Sequence, residues 1–305
     1  MALISSFIAA ILRLATPTLF AGLGIVFSER SGVVNIGTEG MMLVGALAGV
    51  MGSYYTGSAI LGALTAMVSS MIFSAIFAFF TVTIKADQTV IGTGMNILAS
   101  GLTITINRAV FGASTSPPQI DVLGAVEIPL LAKIPVLGQA MFNQPWPVYL
   151  AFLLVPVAHF VMFRMNVGLK LRAVGENPRA CDTVGISVSK VRFTAVLYSG
   201  LMAGLAGAFV SMGQMSFFTE GIISGGGFIA LAAVVFGNYT PIGVMVASLV
   251  FGTANATMYR LQAANTGIPG QFLLMLPYLI TIVALCVAIR RSNRPASSAV
   301  PYIKE

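Results

Sequence analysis

Six stretches of this chain run without a single charged residue: 40–84, 88–107, 134–163, 193–219, 221–259 and 261–289. A helix crossing a bilayer needs about 20 mostly apolar residues, so the two longest stretches each hold two crossings joined by a turn. Gly52–Gly57 (GSYYTG) and Gly237–Gly243 (GNYTPIG) supply those turns. Charged residues make up 8% of the 305 and mean hydropathy is +0.94, whereas soluble domains carry about a quarter charged residues. Such a chain cannot wet the surface of a soluble globule, which excludes a soluble enzyme. With only Cys181 and Cys286 it is no disulfide scaffold either. Backbone in lipid must be satisfied within helices or closed barrels. Barrel strands alternate polar and apolar residues, and these runs are continuous. The sequence therefore specifies an all-α polytopic membrane protein, one domain over 1–305, with roughly 8–10 transmembrane helices.

The expected spans are 7–27, 36–55, 58–84, 89–110, 146–164, 193–213, 225–238, 242–260 and 270–290. The seventh is short, and Gly225-Gly226-Gly227 marks it as broken or re-entrant. Lysine and arginine placement sets orientation. Arg164, Lys170, Arg172, Arg179, Lys190 and Arg192 form one cluster, and Arg290, Arg291, Arg294 and Lys304 another. Both belong in the cytoplasm, joined there by Arg30 and Lys85, which leaves Arg108, Lys133 and Arg260 outside together with the N-terminus. The net charge of +7 thus follows from topology and calls for no nucleic acid. The first 27 residues lack the basic start and cleavage site of a signal peptide. Arg13 within them is expected to snorkel to the nearby interface. The outer loop 111–145, with Pro117, Pro118, Pro129, Pro135 and Pro145, reads as an ordered cap or interfacial segment. Gly200, Ala203, Gly204, Gly207, Gly45 and Gly49 suit close helix packing.

The cytoplasmic loop 165–192 has helix punctuation. Asn177 can cap a short helix starting at Pro178, a favoured first position, and Gly185 can end it. An exposed helix over roughly 178–184 follows. By spacing alone it is either a knob for a soluble partner or a solvated connector.

Arg172-Ala173-Val174-Gly175-Glu176-Asn177-Pro178, with Ala180 and Gly185-Ile186, resembles the RAxGxNxxAAxxxGI segment of ABC-importer permeases of the branched-chain amino acid and simple-sugar class. Cys181 stands where that pattern has a second alanine. The segment from Glu29-Arg30-Ser31-Gly32 through Asn35-Ile36-Gly37-Thr38-Glu39-Gly40 resembles the branch for nucleosides and simple sugars, which works with basic-membrane-type lipoproteins. Phe228–Asn238, Pro241-Ile242-Gly243 and Leu276-Pro277-Tyr278-Leu279 are similar to that branch too, so the resemblance covers about 20–295. It implies a multi-pass permease subunit in a bacterial inner membrane, with a type II-like inverted-repeat fold. Segments 32–49 and 221–243 would be the repeat's counterparts. It also implies three partners: a second permease subunit, usually a different and longer one; a cytosolic ATPase that binds ATP and Mg; and an external lipoprotein that delivers solute. Arg172, Gly175, Glu176, Asn177, Pro178, Arg179, Asp182 and Gly185 would then couple the permease to the ATPase.

The chain itself has no GxxxxGK[ST] phosphate cradle, so no cofactor and no ATP hydrolysis are expected of it. His159, the one histidine, lies in an apolar helix and reads as a helix residue rather than a metal ligand. Polar residues at membrane depth are costly and face the bundle interior. Asn35, Thr38, Glu39, Asn96, Asn107, Gln214, Asn238 and Asn255 are the candidates for a solute path, with Phe217, Phe218 and Phe228 for an aromatic face. A nucleoside needs such amides and such a face. Each amide can instead serve a helix-helix hydrogen bond, and Glu39 a salt bridge to Arg30. The alternatives are a simple-sugar or riboflavin permease, or an ion-coupled transporter relying on Glu39 and Glu220.

Overall fold

The computed structural model describes residues 2–112, 119–127, 141–264, 269–288 and 293–303. Its helices are α1 (Ala2–Arg30), α2 (Thr38–Thr56), α3 (Ala59–Ala78), α4 (Gln88–Phe111), α5 (Trp146–Arg164), α6 (Asn166–Glu176), α7 (Pro178–Thr183), α8 (Val188–Ala208), α9 (Gly226–Phe236), α10 (Pro241–Ala263), α11 (Gly270–Leu274) and α12 (Leu276–Ala288). α3 and α8 each run on into π-helical turns, Phe79–Thr83 and Phe209–Met215. Among the described residues, six segments are long and apolar enough to cross a membrane: Ile4–Arg30, Ala59–Thr83, Gln88–Phe111, Trp146–Arg164, Val188–Met215 and Pro241–Ala263. The three remaining expected spans are α2, the 11-residue α9, and the broken pair α11–α12. Of these three, α2 is a continuous 19-residue helix, whereas α9 and the α11–α12 pair are short, as the expected break at Gly225-Gly226-Gly227 required for α9.

Local chemistry fixes several helix ends. Asp87 accepts from the N–H groups of Thr89 and Val90, both at 2.9 Å, and starts α4. Thr240 accepts from Gly243 N at 3.1 Å ahead of Pro241 in α10. Gly57, at φ 65°, closes α2 in the left-handed conformation that glycine tolerates and turns the chain into α3.

α1 and α8 are the most buried spans and run antiparallel through the centre. Glycine makes this possible: a Cβ on Gly24 would lie 2.8 Å from Met202 Cβ, and one on Gly45 only 2.6 Å from Gly204 Cα. Gly207 abuts the Met42 carbonyl. In lipid, such close approach supplies the packing attraction that water exclusion supplies elsewhere. Core side chains such as Phe20, Phe77, Phe209 and Met212 fill the remaining space.

One end of the bundle is basic. Arg192 at the start of α8 reaches Ser31 O and Val300 O, and the 293–303 segment lies against the α6–α7 region. Lys85 shares a cleft there with Asp182 and Gly185. At the opposite end Arg108 pairs with Glu220 at 2.7 Å, and Arg260 donates to Ser6 Oγ at 2.7 Å. This is the distribution expected of a bundle whose α6–α7 end faces the cytoplasm. Arg290, Arg291, Lys304 and Lys133 lie outside the described residues.

The outer loop departs from an all-α reading. Residues Ala125–Glu127 (β1) pair antiparallel with Asn143–Pro145 (β2), with Val126 opposite Gln144. Arg13, exposed on α1, reaches toward this end of the bundle: its Nε donates to Gln144 Oε1 at 2.6 Å and fastens the strand pair to α1. Pro117, Pro118, Pro129 and Pro135 lie outside the described residues.

Candidate functional site

Two interruptions of the helices meet deep in the bundle. The first, 31–37, dips inward between α1 and α2. Asn35 in it donates to Ser199 Oγ at 3.0 Å. Ser199 lies 11 residues into α8, about 16 Å from its start at 1.5 Å per residue. Asn96 on α4 holds the same segment from the other side, donating to Ile36 O at 3.0 Å and accepting from Gly40 N at 2.8 Å. Thr38 donates to Asn35 O at 2.8 Å. Of these three residues, expected on a solute path, Asn96 and Thr38 are spent on closing a stretch of unwound backbone that would otherwise be unsatisfied, whereas the buried Oδ1 of Asn35 has no hydrogen-bond partner among the described residues.

The second interruption, 216–225, precedes α9. Glu39, in the first turn of α2, spans the gap to it. Gly225 N donates to Glu39 Oε1 at 2.8 Å and Gly227 N to Oε2 at 2.7 Å. One carboxylate thereby serves the positive ends of two helices, its own and α9. A Cβ on Gly227 would lie 2.5 Å from Glu39 N, so this approach is open only to glycine. The Glu39–Arg30 salt bridge, the alternative to a place on the solute path, does not form: Arg30 Nε instead donates to Tyr239 O at 2.8 Å. Nor does Glu39 belong to a carboxylate relay, since Glu220 is held by Arg108 at the outer surface.

Above this junction, toward the outside, a cavity of about 390 Å3 opens between α1, the end of α8, the 216–225 segment, α10 and α11–α12. Gln214 and Asn255, both expected on a path, line it, with Thr18, Ser224, Tyr259 and Tyr278 as its other polar residues. Gln214 Nε2 donates to Arg13 O at 2.9 Å, which leaves its carbonyl for a ligand. The phenylalanines are not there. Phe218 is buried, Phe228 points out of the bundle at 48% exposure, and Phe217 is not in the lining. The aromatic faces belong to Tyr259 and Tyr278; Tyr259 sits at the end of its expected span, where tyrosine is common, and Tyr278 stands out in the sequence only as part of the Leu276-Pro277-Tyr278-Leu279 segment. Asn238 is also misplaced by the sequence reading. It lies in the α9–α10 turn at φ 52°, at the basic end of the bundle, with its Oδ1 accepting from Asn293 N at 2.8 Å.

At the basic end the short helix forms as expected, Pro178–Thr183. Asn177 Oδ1 accepts from Ala180 N at 3.1 Å, Pro178 opens α7, and Gly185, at φ 82°, follows its end. The preceding α6, 11 residues long, was read as loop from sequence. It gives the knob a seat: Arg172 Nε donates to Met162 O at 3.1 Å and stacks over Phe163, and Gly175 abuts the Arg30 carbonyl. Glu176, Pro178 and Arg179 line a cleft of about 320 Å3 shared with Val300, Tyr302 and Ile303 of the tail. Asp182 lines the neighbouring cleft. Cys181 is buried under α7, and burial pushes its thiol pKa up. His159 stacks on Phe163 with ring centroids 4.7 Å apart, and no group of potential metal ligands forms among the described residues.

The chain is thus a multi-pass helical bundle with broken helices and a short helix seated at its basic end. The fold is shared with a chain of an ABC transporter solved in an inward-facing conformation (TM-score 0.52, 14% identity, 93% of this chain and 84% of that one). Residues 7–285 match the family described as branched-chain amino acid transport system / permease component, and the chain belongs to that family. It is 40% identical to the guanosine ABC transporter permease protein NupQ of Bacillus subtilis, over 99% of this chain and 98% of that protein. It is 37% identical to the nucleoside ABC transporter permease protein NupC of Lactococcus lactis, over 97% and 96% of the two. The protein is thus a multi-pass inner-membrane permease component of an ABC transporter.

Proposed function

We propose that this chain is the permease subunit of an ATP-driven importer for nucleosides. It carries no ATPase site of its own and works beside a second, different permease subunit, a cytosolic ATPase that binds ATP and Mg, and an external delivery lipoprotein. The observation that carries the solute class is end-to-end similarity to two nucleoside permeases. The absence of a GxxxxGK[ST] segment supports leaving hydrolysis to a partner.

Coupling is assigned to α7 and its flanks, Arg172, Gly175, Glu176, Asn177, Pro178, Arg179, Asp182 and Gly185. A capped, exposed helix on a rigid seat supports that role, because force applied to it passes to the end of α1 through Gly175 and Arg30. The test is uptake into vesicles holding the complete transporter, with unlabelled nucleosides, simple sugars and riboflavin as competitors. Competition by nucleosides alone, lost without ATP, is the expected result. Competition by sugars alone would replace the solute class. Uptake that survives ATP depletion and collapses with a protonophore would replace the mechanism.

A further inference from the structure

The outer cavity has a chemical character that says what it admits. No charged side chain lines it among the described residues. Its volume falls within the range of about 300–1,000 Å3 that holds small ligands. Its polar groups are unspent or half-spent. Asn255 makes no hydrogen bond among the described residues, Gln214 keeps its carbonyl, and Ser224, which donates to Gly221 O at 2.9 Å, keeps its lone pairs. Tyr259 and Tyr278 offer ring faces and hydroxyls. Amides that can pair with a base edge, together with rings that can stack on it, are what a nucleobase requires.

The floor of the cavity carries a second message. Gly226 and Ser224 line it, and Tyr278 Oη lies 3.6 Å from the position a Gly225 Cβ would take. Directly behind are the N–H groups of Gly225 and Gly227 at the start of α9. A helix start with free N–H groups beside a cavity is an anion site. Here Glu39 fills it from within, at 2.8 and 2.7 Å. A phosphate entering the cavity would find neither free donors nor an open positive end, because Glu39, which does not itself line the cavity, has taken both N–H groups from behind.

We propose that this cavity is a solute site held by this subunit alone, that it takes an uncharged nucleoside by its base, and that Glu39 is the specificity-determining residue that keeps phosphorylated solutes out. The choice of nucleoside rests on the proposed function; the exclusion of anions does not.

The delivery lipoprotein would mask selectivity, so the measurement is equilibrium binding of radiolabelled guanosine to the membrane-embedded permease–ATPase complex without it. Guanosine should bind and guanosine monophosphate should not compete. Asn255→Ala and Tyr259→Leu should each weaken guanosine by about tenfold. Glu39→Gln should retain guanosine binding and let the monophosphate compete, whereas Glu39→Asp should restore exclusion. Should Glu39→Gln fail to fold, Asn255→Lys supplies the converse test: a cation in the cavity should admit the monophosphate. Unchanged guanosine affinity in both Asn255→Ala and Tyr259→Leu overturns the site. Persistent exclusion of the monophosphate in a folded Glu39→Gln overturns the role of Glu39. If guanosine does not bind but a neutral sugar does, and Asn255→Ala weakens that sugar, the nucleoside reading falls while the cavity and its neutrality stand.

Discussion

A methyl group that is missing can decide where a helix stops. Gly227 lets the start of α9 approach the backbone of Glu39 so closely that a Cβ would lie 2.5 Å from its nitrogen. Gly227→Ala should therefore push α9 away, break both Glu39 hydrogen bonds and abolish uptake, while membrane insertion, read by expression level, stays normal. Gly175 offers the same logic at the cytoplasmic end, where it abuts the Arg30 carbonyl. Gly175→Leu should lift the α6–α7 knob off α1 and reduce uptake at least tenfold, with ATP hydrolysis by the assembled complex retained. Equal loss of both activities would show a folding defect instead. Asn177→Ala removes the cap of α7 at a cost of about 1 kcal/mol, enough to fray a six-residue helix. Sequence made these residue types visible but not their partners. Glu39 stood out as a rare charge at membrane depth, yet its reading as a salt bridge to Arg30 came from proximity along the chain. The backbone donors that hold it come from residues 225 and 227, which no local pattern brings near.

Arg192 joins three elements that are far apart in sequence. Only 3% exposed, it donates to Ser31 O at 3.1 Å and Val300 O at 2.8 Å, tying the end of α1 and the tail to α8. The tail is also bound by Ser297 N to Gly175 O at 2.9 Å and by Ala299 N to Gly32 O at 3.1 Å. Arg192→Ala would leave those two carbonyls unpaired, at a cost of about 1–3 kcal/mol each if water cannot reach them. A lower melting temperature in detergent is the expected reading, with Arg192→Lys recovering part of it. An unchanged melt would mean that the tail is held without Arg192. Span limits were legible where charge marks them: α5 was expected over 146–164 and lies at Trp146–Arg164. α8 was misjudged at its start, 193 against Val188, because Lys190 and Arg192 were taken as the boundary whereas Arg192 is buried inside it. The break before α9 was announced by Gly225-Gly226-Gly227. α6 escaped notice because GLKLRAV reads as a polar connector until its apolar side is seen against α1 and α5.

The molecule as a whole runs two interruptions to one level of the bilayer, one entering from each side, and puts a cavity outside them and a seated knob inside. α1 and α8 run in opposite directions, and each is followed by an interruption and then a helix starting at depth. That order fits the expected correspondence of 32–49 with 221–243. The basic end, the family and the membrane class were all legible, because charge distribution and lipid solubility are properties of composition. The path was not, because amides that close unwound backbone and amides that face a cavity are the same residue types at the same depth. On the proposed coupling, work done on α7 would reach the junction at Glu39 through Gly175, Arg30 and the 31–37 segment. The decisive measurement is therefore crosslinking at α7. Val184, 73% exposed at its end, is replaced by cysteine in a Cys181→Ser, Cys286→Ser background of the complete transporter. The expected result is a covalent adduct with the ATPase subunit whose yield changes with ATP, and no labelling by an impermeant thiol reagent from outside. Labelling from outside, or ATP-driven uptake with no ATPase adduct, would contradict the account.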